Sequence, residues 1–152
     1  MTTTVISELN EADAPAAAHL WAECGLTVPY NDPETDYLRA LHSPSSTVLG
    51  IRATVAPDAE SSGLIGTVMV GHEGHRGWMY YVAVHPDHRG RGLGAALVRA
   101  AEEWLDERGA PKAMLMVRAT NERAQGFYRA LGYETSTVTV MQKWLCLPRS
   151  RG

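Results

Sequence analysis

The stretch HPDHRGRGLGAAL, His85–Leu97, decides the fold, because three glycines and two arginines crowd into residues 89–94. The apolar run WMYYVAV at 78–84 precedes it, and the helix-like run AALVRAAEEWL at 95–105 follows it. Glycine lets a backbone come close to a ligand, so glycines crowded between a strand and a helix predict a binding loop. The question is which ligand this loop approaches.

The length, net charge and cysteine content of the chain limit the partners and the location that we expect. The chain has 152 residues, which fits one domain over residues 1–152, with a tail at 145–152 that we expect to be frayed. Its net charge of −3 and pI of about 6.0 argue against nucleic acid as a partner, because a general nucleic-acid binder needs a basic surface. The two cysteines form no metal or redox motif and are typical of free thiols in a reducing cytoplasm. The start resembles no signal peptide and no apolar run is long enough for a membrane span, so we expect a cytoplasmic protein without a membrane partner.

Periodicity and turn signals predict a mixed α/β domain with the order β-α-α-β-β-β-α-β-α-β(β). Its sheet is expected to be mostly antiparallel, with flanking helices. A long amphipathic helix is predicted over about 93–108, because its apolar residues recur with a 3.6-residue period. KAMLMV at 112–117 is almost wholly apolar, which predicts a central strand. YETSTVTVMQKWL at 133–145 is predicted to close the fold as a strand or a bent pair of strands.

Two common nucleotide-binding loops fit the glycines poorly. GRGLGA at 90–95 matches the dinucleotide pattern G-x-G-x-x-A, but that site needs an acidic residue near the end of the next strand. The corresponding region, APKAMLMVRA at 110–119, contains no acidic residue. A P-loop needs a Lys-Ser or Lys-Thr pair after its glycines, and none follows here.

A different phosphate cradle fits better. The pattern is Arg89-x-x-Gly92-x-Gly94, continuing directly into a helix. Backbone N–H groups in such a loop face outward, and the helix start adds unpaired N–H groups and the positive end of its dipole. Arg89 and Arg91 can add charge-assisted hydrogen bonds. Together these features suit a pyrophosphate.

Residues 82–109, VAVHPDHRGRGLGAALVRAAEEWLDERG, resemble the acetyl-coenzyme A motif of the GNAT superfamily of N-acetyltransferases. In that motif Arg or Gln-x-x-Gly-x-Gly or Ala follows a strand and opens a helix. NERAQGFYRALGYE at 121–134 resembles the second signature of the same family, and the predicted element order agrees with the family's order. The resemblance covers nearly the whole chain and is specific from about Gly63 to Glu134.

The resemblance implies that acetyl-CoA is the co-substrate and that the acceptor is a primary amine of a small molecule, peptide or protein, attacking the thioester directly in a ternary complex. A backbone N–H near Val82 would polarise the thioester carbonyl. Asn121 would contact the cofactor arm or cap the last helix. The cofactor-binding residues implied are Val82, Ala83, Val84, Arg89, Gly90, Arg91, Gly92, Leu93, Gly94, Ala95, Asn121 and Tyr128.

The resemblance also implies that Tyr128 protonates the leaving thiolate, although helical periodicity alone favours a core tyrosine at this position. The general base departs from the family pattern: the positions where family members carry a glutamate hold Trp78 and Met116. The titratable residues that lie nearby in sequence are His72, Glu73, His75, Tyr80 and Tyr81. Of these we predict Glu73, acting through water, as the base.

Two His-x-x-His pairs, His72/His75 and His85/His88, lie in apparent loops without supporting thiolates, and we expect no metal site there. The missing carboxylates leave one alternative open, a non-catalytic module that senses acyl-CoA. Trp21, Tyr30, Tyr37 and Trp144 could line an acceptor site or belong to the core. Dimerisation is common in the family, and no sequence feature decides whether this chain forms a homodimer.

Overall fold

The chain up to Leu115 folds around a five-stranded sheet in the computed structural model, which describes residues 4–53 and 63–146. The strands lie in the order of the sequence, from β1 to β5. All neighbouring pairs are antiparallel except β4 and β5, which are parallel. The predicted mixed, mostly antiparallel α/β fold is confirmed. The strands are β1 (Ile6–Glu8), β2 (Ser46–Arg52), β3 (Leu64–His72), β4 (Gly77–Val84) and β5 (Ala113–Leu115).

The helices are α1 (Ala14–Glu23), α2 (Pro33–His42), α3 (Leu93–Glu107) and α4 (Glu122–Ala130), with short 3-10 turns at Glu11–Asp13 and Pro86–His88. Their starts follow local chemistry. The Asp32 carboxylate accepts a hydrogen bond from the Thr35 N–H at 3.3 Å and caps α2. Asn10 and Asp13 form a reciprocal capping box ahead of α1. No helix within the described ranges is both long and apolar enough to cross a membrane.

The sheet is covered on both faces. The cluster on one face joins α1 and α2 to the sheet, and it contains Trp21 and Tyr37, both 0% exposed. These two aromatic residues therefore belong to the core and do not line an acceptor site. Leu97 and Leu105 of α3 cover the other face, where the Leu105 side chain occupies the space that a Cβ on Gly77 would need.

Residues 116–146 belong to a second compact unit, whose one helix among its described residues is α4. Asn121 caps α4, because its side-chain oxygen accepts from the Ala124 N–H at 3.1 Å. The predicted inward face of this helix is half-buried, and it consists of Ala124, Phe127, Tyr128 and Leu131.

Two details of the sequence prediction were wrong. Described residues 133–146 contain neither helix nor strand, so the closing strand or strand pair is not formed. Met141 and Leu145 of this segment are 90% and 96% exposed. The alternation of β-branched and polar residues favours a strand only where a partner strand and a buried face are present. The second difference concerns β5, which was predicted to be central. Because no closing strand forms beside it, β5 is an edge strand of the described sheet. Residues 147–152 of the predicted tail lie outside the described residues.

Candidate active site

The glycine loop connects the end of β4 to α3. Gly90 and Gly92 have φ values of +81° and +75°, a left-handed conformation that other residues adopt at a cost. A Cβ at either position would meet no atom of the chain within 4 Å. These glycines are therefore required by the backbone conformation of the loop and not by crowding within the chain.

The start of α3 is electrostatically suited to an anion. Gly92 is its N-cap residue, so no side chain caps the first turn, and that turn contains no acidic residue. The N–H groups of the first turn have no helical partner, and the helix dipole places positive potential there. Leu93 anchors this turn in the core, whereas Gly94 and Ala95 are half-buried. The first turn of α3 therefore fits the pyrophosphate of a nucleotide cofactor.

Polar side chains fasten the end of β4 to the loop and to α1. The Val84 carbonyl accepts hydrogen bonds from Arg89 Nε at 3.2 Å and from the Cys24 thiol at 3.4 Å. His85 Nδ1 accepts from the Asp87 N–H at 3.1 Å, so its other nitrogen carries the hydrogen and faces Glu23 Oε2 at 2.5 Å. Arg91 lies exposed, 3.5 Å from His88. Both arginines thus remain at the surface of the loop.

A β-bulge interrupts β4 just before this loop. Thr67 of β3 pairs with Ala83, and Met69 of β3 pairs with Tyr80. Two residues of β4, Tyr81 and Val82, therefore lie opposite the single residue Val68 of β3. Tyr81 has φ +50°, the only positive φ of a non-glycine residue within the described ranges. A bulge leaves one residue outside the regular ladder, which frees backbone groups at Tyr81 and Val82 for other partners.

Three contacts hold Tyr81 in this conformation. Its ring stacks on Trp21 with centroids 3.8 Å apart, and its hydroxyl donates to Asp36 Oδ2 at 2.8 Å. Its carbonyl accepts from the Thr67 hydroxyl at 2.9 Å, and that hydroxyl in turn accepts from Trp21 Nε1 at 2.8 Å. Burial and the Asp36 carboxylate raise the pKa of Tyr81 well above its usual value. Nothing in the sequence YYV signalled this arrangement, since no glycine marks the bulge.

The pairing between β4 and β5 is short. It runs from Gly77 with Ala113 to Met79 with Leu115 and ends there. The rest of β4, Tyr80–Val84, has no partner strand on that side among the described residues. The predicted pantetheine-binding residues Val82, Ala83 and Val84 all lie in this part of the strand.

The second unit carries the other two predicted residues. Asn121 caps α4. The Tyr128 ring contacts the rings of Phe127 and Tyr133, at centroid distances of 4.9 Å and 5.8 Å. Burial raises the pKa of the Tyr128 hydroxyl above its usual value, which keeps the phenol protonated.

Glu73 lies at the opposite end of β4 from the loop. Its carboxylate accepts hydrogen bonds from the N–H groups of Arg76 at 2.6 Å and His75 at 3.1 Å, and so closes the β3–β4 turn. The hydrogen bond from the Arg76 N–H is the main cause that lowers the pKa of this exposed carboxyl. From Gly77 to Val82 the strand covers about 17 Å at ~3.3 Å per residue. The structure thus brings Val82–Val84 and residues 89–95 together and leaves Glu73 apart from them.

The two positions at which the resemblance implies a base hold Trp78, which lies half-buried in β4, and Met116, which is exposed. Neither tryptophan nor methionine has a side chain that can accept the ammonium proton. Within the described ranges, no group of three or more His, Cys, Asp or Glu side chains could hold a metal ion.

Comparison with known proteins gives a consistent result. The sequence model of the acetyltransferase (GNAT) family matches residues 11–133. An acetyltransferase of Yersinia enterocolitica is 41% identical over 142 residues, which cover 92% of this chain and 94% of that protein. An acetyltransferase of Pectobacterium atrosepticum is 43% identical over 138 residues, covering 90% and 92% of the two chains.

Solved structures share the fold. A ribosomal-protein-alanine N-acetyltransferase of Brucella melitensis superposes with a TM-score of 0.70 at 21% identity, over 93% of this chain and 99% of that one. The aminoglycoside N-acetyltransferase AAC(6')-Iy, in complex with CoA, superposes with a TM-score of 0.76 at 17% identity, over 96% and 97% of the chains. At these identities the likeness establishes the fold alone.

The chain belongs to the GNAT family of acetyltransferases. It is an N-acetyltransferase that uses acetyl-CoA as its co-substrate, and the uncapped start of α3 beside the glycine loop fits the pyrophosphate of that molecule.

Proposed function

We propose that this protein acetylates a primary amine by direct attack of the amine nitrogen on the thioester carbon of acetyl-CoA within a ternary complex. The C–N bond forms as the C–S bond breaks, the amine loses a proton, and the coenzyme A thiolate gains one. The observation that carries the proposal is the sequence of a bulged strand, a left-handed glycine loop and an uncapped helix over residues 81–95.

This unit provides two different interactions with the cofactor. Gly90–Ala95 would bind the pyrophosphate through backbone N–H groups, while Arg89 and Arg91 add positive charge. Val82–Val84 would face the pantetheine arm, because this part of β4 has no strand beside it on that side in the described chain. Asn121 would contact the cofactor arm in addition to capping α4.

The thioester carbonyl would be polarised by the Val82 N–H. As the amine attacks, negative charge develops on the carbonyl oxygen, and a fixed N–H donor stabilises that charge more in the transition state than in the ground state. The bulge at Tyr81 and Val82 supports this assignment, since it removes these residues from the regular ladder.

Tyr128 would assist departure of the thiolate. A free thiol has a pKa near 8.5 and a free phenol near 10, so full proton transfer from an ordinary tyrosine is uphill by ~2 kcal/mol. The raised pKa of Tyr128 makes full transfer harder, but it keeps the hydroxyl protonated as a hydrogen-bond donor to the sulfur. We therefore propose that Tyr128 stabilises the thiolate chiefly by donating a hydrogen bond.

The attacking amine must also lose its ammonium proton to a base. Glu73 stays a prediction: its lowered pKa makes it a weak base, and its place in the β3–β4 turn would require relay through more than one water. Glu73→Gln tests it. If Glu73 is the base, kcat/KM falls most at low pH, where the free amine is scarce; an unchanged pH profile removes Glu73 from the chemistry.

The acceptor class is proposed from chemistry and from the fold relatives. Their names include an aminoglycoside acetyltransferase and a ribosomal-protein-alanine acetyltransferase, so both a small-molecule amine and a protein amine suit this fold. Acetyl-CoA dependence and the free cysteines Cys24 and Cys146 support a cytoplasmic location. A homodimer is proposed separately, from the resemblance to the family.

Two measurements on the full chain test the proposal. Titration calorimetry should detect acetyl-CoA binding, and no binding at millimolar acetyl-CoA would overturn the proposal. A thiol-detecting assay with alkylamines, amino acids, polyamines, aminoglycosides and peptides should detect coenzyme A release with at least one class. Binding without release from any amine would support the acyl-CoA-sensing alternative instead.

A further inference from the structure

The conformation of Tyr81 is unusual for its residue type. A tyrosine at φ +50° carries a steric cost that glycine would avoid, and such residues persist only where the surroundings over-determine them. Here the restraints act on three parts of the residue: the ring through Trp21, the hydroxyl through Asp36, and the carbonyl through Thr67. They come from three different elements, α1, α2 and β3.

The bulge at Tyr81 and Val82 also changes which face of the sheet the following residues of β4 occupy. Tyr80 lies opposite Met69 and Ala83 lies opposite Thr67, and both Met69 and Ala83 belong to the core cluster under α1 and α2. Residues three apart in a regular strand would point to opposite faces of the sheet. The bulge therefore shifts the alternation of β4 by one residue, so that Tyr80 and Ala83 lie on the same face of the sheet. Val82 lies within the bulge.

Thr67 is the central restraint. It is 0% exposed, its hydroxyl donates to the Tyr81 carbonyl at 2.9 Å, and it accepts from Trp21 Nε1 at 2.8 Å. A hydroxyl that accepts the indole hydrogen must aim its own hydrogen elsewhere, and the bulge carbonyl receives it. The backbone at the bulge is thus bound by a directional chain of hydrogen bonds that runs from α1 through the buried Thr67 side chain of β3.

We propose that Thr67 and Tyr81 are positioning residues, which hold the β4 bulge so that the Val82 N–H stays aimed at the thioester carbonyl of acetyl-CoA. The inference rests on the proposed role of Val82. Neither side chain needs to touch the cofactor. A donor displaced by a fraction of an ångström loses much of its effect on the transition state, whereas cofactor binding at the glycine loop is unaffected.

The test compares Thr67→Val, which keeps the shape and removes the hydroxyl, with Thr67→Ser, which keeps the hydroxyl. The readout is the infrared carbonyl stretch of acetyl-CoA labelled with ¹³C at the carbonyl carbon, bound to the full chain. A hydrogen bond from Val82 lowers this frequency in the wild type and in Thr67→Ser. In Thr67→Val the band should return toward that of free acetyl-CoA and kcat should fall about tenfold, with the Kd for acetyl-CoA within about twofold.

If Thr67→Val proves too unstable to isolate, Tyr81→Phe answers the same question, because it removes the bond to Asp36 and keeps the stack on Trp21. Its matched control is Tyr37→Phe, which also removes one hydroxyl bond in the same core cluster, to the Asn10 carbonyl at 2.6 Å. Only Tyr81→Phe should move the carbonyl band.

The outcomes separate this inference from the proposed function. A wild-type band equal to that of free acetyl-CoA, or an unchanged band and kcat in Thr67→Val, overturns the positioning role even if amines are acetylated. A shifted wild-type band that Thr67→Val abolishes, without coenzyme A release from any amine, supports the positioning role and overturns the proposed function.

Discussion

The indole ring of Trp21 lies face to face with the phenol ring of Tyr81, with centroids 3.8 Å apart and planes within 10° of parallel. Trp21 is a core residue of α1, and Tyr81 belongs to the strand that we propose binds the thioester. The stack therefore connects the stability of the α1 and α2 layer to the geometry of the strand.

Trp21→Ala should lower the free energy of unfolding by about 3–5 kcal/mol, because it leaves a cavity in the core and removes the hydrogen-bond donor to Thr67. Urea unfolding followed by circular dichroism measures this loss. Trp144→Ala is the comparison, since Trp144 is 51% exposed and should cost much less. Equal losses would contradict the role of Trp21 as a core residue.

Gly92→Ala should weaken acetyl-CoA binding about tenfold or more, because alanine at φ +75° distorts the loop that presents N–H groups to the pyrophosphate. Gly109→Ala is a matched control at the other end of α3, with φ +78° and equally open space around its Cβ. Both variants should lose about 1–2 kcal/mol of stability. Calorimetry should find weaker binding only for Gly92→Ala, and equal affinities would contradict the assignment of the loop.

Tyr128→Phe should lower kcat by about 10- to 100-fold and leave the Kd for acetyl-CoA within about twofold, because it removes the proposed donor to the thiolate and keeps the ring. Tyr133→Phe removes the hydroxyl of the ring that contacts Tyr128 and should change kcat little. Steady-state assays of coenzyme A release compare them. A similar decrease in both variants would point to a general effect on packing.

Burial raises the pKa values of Tyr37, Tyr80, Tyr81 and Tyr128. The folded state then holds these phenolic protons more tightly than the unfolded state, whose tyrosines titrate near pH 10. Their contribution to stability is complete below about pH 10 and decreases as pH rises above it.

Urea midpoints measured from pH 8 to about 11 should stay level at first and then fall steeply. Tyr37→Phe should fall less steeply than the wild type above about pH 10, because it lacks one of these groups. An identical slope would show that Tyr37 does not take part in the alkaline transition.

Local chemistry made much of the fold predictable. Asp32 caps α2, and the apolar period predicted a helix at 93–108 that the structure has at Leu93–Glu107. The glycines predicted a loop that needs left-handed backbone, and Gly90 and Gly92 have it. These features depend on residues that are close together in the chain, so they can be predicted from the sequence alone.

Features that depend on distant partners were not predictable. Tyr81 is held at its positive φ by contacts with Thr67, Asp36 and Trp21, which lie 14, 45 and 60 positions away in the chain. The segment at 133–145 has the alternation of a strand but finds no partner strand among residues 4–53 and 63–146. Glu73 was singled out by sequence proximity to β4, whereas its carboxylate is used to close a turn.

Tyr81 also constrains how this enzyme can evolve. Glycine would relax the backbone there but would lose the ring and hydroxyl contacts, whereas another aromatic residue would keep the strain and lose the bond to Asp36. Neither single replacement preserves both the backbone and its supports. Positions 21, 36, 67 and 81 should therefore co-vary among relatives, changing together or not at all.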